Sequence, residues 1–148
     1  MLAAIRPDSW NLPLFLHVLG AMVLAGGTGA VVVLGVGRHR YSQHAALLAR
    51  LSFRTLVFLV LPAWIVMRVG AQLIEDKEFP HNSPGWMNVG FTVSEGGLLI
   101  LIAAGILAWF GLRRGGMGRA AAAVPALAAF YLVALAVAWW AISAKPGA

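Results

Sequence analysis

Apolar residues run along this chain in four blocks, separated by three short breaks of charged and turn-forming residues. The blocks cover residues 12–36, 47–74, 86–112 and 120–142. About 20 apolar residues at a rise of 1.5 Å cross the roughly 30 Å hydrocarbon layer of a bilayer, so each block predicts one transmembrane helix. The breaks are short enough to make successive helices antiparallel neighbours. The expected fold is all-α: an antiparallel four-helix transmembrane bundle forming a single membrane domain over residues 1–148. The first block is too long for the apolar core of a signal peptide and follows only one positive charge, Arg6, so it is read as a retained span.

Polar residues inside the blocks change this picture most. In the run from Trp86 to Phe110, WMNVGFTVSEGGLLILIAAGILAWF, Glu95 lies about 13 Å from the start, at 1.5 Å per residue. A charge near the middle of a span costs roughly 2.5–3.5 kcal/mol on the lenient insertion scale, and such residues usually turn toward a bundle interior and a partner. Asn88, Thr92 and Glu95 stand at i, i+4 and i+7, which places them on one helical face. In the second block Arg68 lies about 9 Å from the outer end, and in the first His17 lies about 8 Å from it. These three ionisable residues therefore share one half of the membrane, and Arg68 can reach Glu95 if both faces turn inward. Such a pair either fixes helix register or serves a site. Pro62 predicts a kink that frees a backbone carbonyl, and Arg54 predicts a snorkelling anchor. The small residues Ala21, Ala25 and Gly29 recur every fourth position, a pattern that allows close helix packing.

Composition and charge narrow the class. With 61% hydrophobic residues in 148 positions, the chain has more apolar surface than a soluble core of this size buries. The net charge of +6 comes from residues at the block ends rather than from one soluble patch, which argues against nucleic acid as a partner. Arg38, Arg40, Arg50 and Arg54 surround the first break and Arg113, Arg114 and Arg119 the third, whereas the second holds Glu75, Asp76, Lys77 and Glu78. By the positive-inside rule both termini then lie on the outer side. Trp10, Trp86, Trp139 and Trp140 fall at the outer interface in this orientation, as aromatic anchors do. The absence of cysteine excludes disulfides, thiolate metal sites and covalent haem attachment.

Three functional readings follow. In the first, His17 ligates haem or copper, with Met67, Met87 or His81 as second ligands, because imidazole and thioether suit haem iron and Cu(I). Only one histidine lies within a span, which leaves His/Met ligation, a site shared across a homodimer, or no such site. In the second, Glu95, Asn88, Thr92, Arg68 and His17 line a route for a proton or small solute. The run GGLLILIAAGILAWF beyond Glu95 is dry, so that route lacks an inner half. In the third, small-residue faces dock the chain on a larger membrane complex as an accessory subunit. No nucleophile motif, phosphate-cradling loop or H-E-x-x-H is present, and the expected class is a non-enzymatic membrane subunit or binding protein.

The run LFLHVLGAMVLAGG, Leu14 to Gly27, resembles the first helix of small bacterial four-helix membrane proteins related to the copper-resistance D family and the uncharacterised families near it. A histidine followed by small residues and a Gly-Gly pair carries the resemblance, which covers the first span only. It implies a bacterial cytoplasmic membrane protein in which His17 handles a metal or haem at the outer face.

Overall fold

The computed structural model describes residues 8–78, 85–115 and 118–144. Every secondary-structure element among them is helical. A 3-10 turn, Asp8–Trp10, leads into α1, Asn11–Arg40. A second 3-10 turn, Ser42–His44, precedes α2, Ala45–Thr55, which passes through one π-helical turn, Leu56–Val60, into α3, Leu61–Glu78. Then follow α4, Gly85–Arg113, and α5, Arg119–Ala144. Four stretches are long and apolar enough to cross a membrane, with α2 and α3 forming one of them together. The chain is an integral membrane protein by that criterion.

Local sequence explains the breaks. Pro13 lies in the first turn of α1, where its missing N–H leaves no bond unmade. The far end of α1 closes with the N–H of Tyr41 donating to the Gly37 carbonyl at 2.8 Å. Gly115 and Gly118, between α4 and α5, take φ of +67° and +97°, values open to glycine at little cost. The kink predicted at Pro62 takes the form of the π turn just before it. There Leu61 N–H donates to the Leu56 carbonyl, five residues back, and the wider turn accommodates the proline that follows.

Packing follows the membrane rule that small residues meet at helix interfaces while large apolar ones face lipid. The buried side of α4 carries Ser94, Gly97, Leu101, Ala104, Ala108 and Gly111, and Leu99, Ile102 and Ile106 lie exposed. Contact between α1 and α3 is backbone to backbone at Gly20, which lies on the main chain of Met67, and at Gly70, which lies on that of His17. The expected Gly29 contact is not made, since a Cβ there would meet nothing within 4 Å. Gly20, Gly27 and Gly35 are the close-packed glycines of α1 instead. Pro125 of α5 fits the notch at Gly35, and the Tyr131 ring lies across Gly97 of α4. Tyr131, Leu24, Leu56, Leu101, Val31 and Val60 are the largest fully buried side chains apart from Thr28. α1 packs chiefly on α3, and α4 on α5, whereas α3 and α4 touch little. That leaves a seam between them.

Candidate functional site

Where α3 and α4 part, the four spans line a half-open cavity of about 290 Å³. His17 and Ala21 of α1 form one wall, and Met67, Arg68 and Ala71 of α3 the next. Met87, Phe91 and Ser94 of α4 complete it with Trp139 and Ile142 of α5. Most of these side chains are apolar, so the few polar atoms define what the cavity can recognise.

His17 is placed by the close approach of α1 to α3. Its Nδ1 donates to the Met67 carbonyl at 3.1 Å. A carbonyl only accepts, so Nδ1 carries a proton, and the tautomer this selects has Nε2 as its acceptor. The same arrangement orients histidines that bind metals or ligands. Ser94 is buried, and its hydroxyl has no hydrogen-bond partner among the described residues. Its carbonyl accepts from Trp64 Nε1 at 2.9 Å, one of the few polar ties across the α3–α4 seam.

The second tie is an ion pair. Arg68 Nε donates to Glu95 Oε1 at 2.7 Å, with the side chains 23% and 57% exposed. Arg68 Nη1 donates to Gln72 Oε1 at 2.8 Å, and its guanidinium lies 4.8 Å from the centre of the Phe91 ring. Gln72 Nε2 donates on to Asp76 Oδ1 at 2.9 Å and Glu75 Oε2 at 3.3 Å. The guanidinium is thus charge-balanced and tied into a polar ladder on α3.

The residues singled out in the sequence divide into two groups. His17, Met67, Met87 and Arg68 come together on the cavity wall. Asn88, Thr92 and Glu95 do share a face, but that face is exposed, and the inward orientation expected for the stripe is not found. The reason is that α4 turns its small residues inward, which rotates its larger and polar positions out. Glu95 therefore meets Arg68 at the rim of the seam rather than inside. His81 lies outside the described residues. Among the described residues, no three of His, Asp or Glu gather as a metal cluster would require. Ser94, Gln72 and Trp139 were not anticipated. Ser94 was open to detection, standing four residues after Gly90 and seven after Met87 on the small-residue face.

The fold and cavity define a class: a helical integral membrane protein with a mostly apolar pocket between its helices. Comparison with protein-family models, curated proteins and solved structures finds no match, so the cavity's chemistry carries the functional reading.

Proposed function

We propose that this protein is a non-enzymatic membrane subunit or binding protein that holds a small ligand in the cavity at His17. The observation that carries the reading is the cavity itself, built by all four spans and containing a histidine whose Nδ1 is fixed and whose Nε2 is unengaged in any bond between the described residues. The bundle is read as antiparallel with both termini outside, which places the cavity in the outer half. The pairing of Gly70 with His17 and of Gly27 with Val60 supports the first point, and the arginine-rich first and third breaks support the second. The proposed location is a bacterial cytoplasmic membrane. The chain acts there alone, as a homodimer or within a larger complex.

A second reading is favoured by one specific observation: His17, Met67 and Met87 line the same cavity. An imidazole nitrogen and two thioethers suit Cu(I), in keeping with the copper-resistance resemblance of the first span. A porphyrin is larger than the cavity, so a single ion fits this donor set better than haem. Transport through Glu95 is the weaker alternative. Its polar ladder runs along α3 toward Asp76, and the buried Arg38 and Ser52 of the other half are not joined to it by any hydrogen bond among the described residues, with the apolar Leu24, Val31, Leu101 and Ala104 in the core between.

The test is purification in mild detergent followed by absorption spectra before and after reduction, elemental analysis for iron and copper, and mass spectrometry of extracted small molecules. The expected result is a bound species that His17→Ala loses while the variant keeps its helical circular dichroism. Full retention of that species by His17→Ala would refute the role of His17.

A further inference from the structure

At the end of the bundle away from His17, one arginine is set apart from its neighbours. Arg40, Arg50, Arg113 and Arg119 are exposed there, whereas Arg38 is more than nine-tenths buried where four helices meet. It lies beside Ala49 and Ser52 of α2, Ala108 of α4 and Ala121 of α5. An arginine that only anchors a span keeps its head in water. The Arg38 guanidinium is walled in by small residues instead, and a cation that gives up hydration in this way calls for an anion.

The chain's own carboxylates do not supply it. The five acidic residues are Asp8, Glu75, Asp76, Glu78 and Glu95. Asp8 precedes α1, the next three close α3, and Glu95 is held by Arg68. Because Gly70 lies on His17, α3 ends beside the start of α1, and Arg38 stands roughly 40 Å along α1 from Asn11. The two helices that begin at the Arg38 end, α2 and α5, carry no acidic residue in their first turns, so their unmet N–H groups add positive charge. The carbonyl end of α1 offsets only a fraction of a charge.

The guanidinium has donors to spare. Among the described residues its one hydrogen bond runs from Nη2 to His39 Nε2, at a long 3.4 Å. The buried side-chain atoms that are both sealed from the surface and without a partner are Ser94 Oγ and Tyr131 Oη among the described residues. Nε and Nη1 of Arg38 are not among these and make no such bond, so each keeps some exposed surface. The crevice that Arg38 lines is about 10 Å³, room for one water, so a larger anion stands outside it against these donors. The 30-residue first span is about 45 Å long, the thickness of hydrocarbon and headgroups together, which sets Arg38 at the depth of lipid phosphates. A guanidinium grips phosphate through paired N–H donors, and the exposed arginines around it draw anions to the spot.

We infer that Arg38 holds a phosphate group, of an anionic lipid headgroup or free in solution, at the arginine-rich end of the bundle, a site separate from the cavity at His17.

Native mass spectrometry of the full chain in mild detergent follows titration with dioleoylphosphatidylglycerol, dioleoylglycerol and oleate. Inorganic phosphate is the fourth probe, read as the rise in Tm over sodium chloride of equal ionic strength. Phosphatidylglycerol is expected to bind saturably, and Arg38→Gln to weaken it about tenfold, as loss of a charge-assisted hydrogen bond predicts. Arg50→Gln and Arg114→Gln, which remove exposed charges, should each weaken it less than about twofold. Lipid binding without a phosphate-dependent rise in Tm assigns the group to the headgroup. A rise in Tm that Arg38→Gln loses, without lipid binding, assigns it to soluble phosphate. If neither occurs, the site is overturned. Equal weakening by all three glutamine variants shows a diffuse basic surface and also overturns it, as does wild-type affinity in Arg38→Gln. Dioleoylglycerol or oleate binding as tightly as phosphatidylglycerol overturns the phosphate assignment. Should Arg38→Gln not fold, Arg38→Lys, which keeps the charge but not the fork, is measured against Arg50→Lys: a loss confined to position 38 upholds the site, and equal affinity overturns it.

Discussion

Substitution of Gly70 by alanine tests the close packing that positions His17. An added Cβ would lie 2.5 Å from the His17 backbone nitrogen, 2.8 Å from its Cα and 2.9 Å from the Pro13 carbonyl oxygen. All three are main-chain atoms of α1, so no side chain can swing aside. Restoring an ordinary contact of 3.4 Å from 2.5 Å moves the helices apart by about 0.9 Å. A gap of that size forfeits roughly a quarter to a half of each dispersion contact nearby, and overpacking costs typically 1–3 kcal/mol. Alanine recovers up to about 1 kcal/mol of helix propensity, which offsets part of this. A net loss of about 1–2 kcal/mol lowers Tm by roughly 2–8 °C in a chain of this size. The assay is thermal unfolding by circular dichroism in mild detergent, with Gly26→Ala and Gly29→Ala as matched controls. At those positions an added Cβ meets nothing within 4 Å, so they should melt at or above the wild-type temperature. If Gly70→Ala melts as high as Gly29→Ala, the account of the α1–α3 interface is wrong.

Two further substitutions probe the polar atoms. Glu95→Gln removes the charge partner of Arg68 and should cost about 1.5–3 kcal/mol in a melt, most of it recovered when Arg68→Leu is added; purely additive losses in the double-mutant cycle would show that the two residues are not coupled. Tyr131→Phe deletes a buried hydroxyl with no partner among the described residues, so stability should hold or rise by about 1 kcal/mol, and a clear drop in Tm would reveal a hydrogen bond to that oxygen.

What the sequence made legible was whatever depends on length and apolar content. Each span edge falls within a few residues of its helix, because hydrophobic thickness sets helix length whatever the neighbours do. The proximity of Arg68 and Glu95 was legible for a related reason: two opposite charges at similar depth have few other partners. The facing of α4 was not. Reading polarity alone gave Asn88, Thr92 and Glu95 one common face and favoured turning the charge at Glu95 inward. In lipid the deciding property is size, and Gly97, Ala104, Ala108 and Gly111 mark the inner face. Arg38 shows the limit in the opposite direction. It was counted with the arginines around the first break, yet it is only 8% exposed, beside Gly35, Ala49 and Ser52, because glycine and alanine leave room for a long side chain between helices. The cavity was invisible from the pattern, since it arises where α3 and α4 touch little, a matter of helix arrangement rather than composition.

The π turn at Leu56–Val60 divides one span into two separately keyed halves. The buried positions run on through it, Ala45, Ala49, Ser52 and Leu56 on the α2 side and Val60, Ala63, Trp64, Met67 and Gly70 on the α3 side, with two successive four-residue steps, Ser52 to Leu56 to Val60, at the turn. The wider turn offsets α3 from the phase that an unbroken α-helix would carry on from α2, and Met67 and Arg68 line the cavity from that offset position. In a lineage of such proteins, gain or loss of one residue at this joint would re-index the chamber wall by roughly 100° while the opposite half kept its contacts. The lining of the cavity and the packing of the opposite half can then diverge within a single helix.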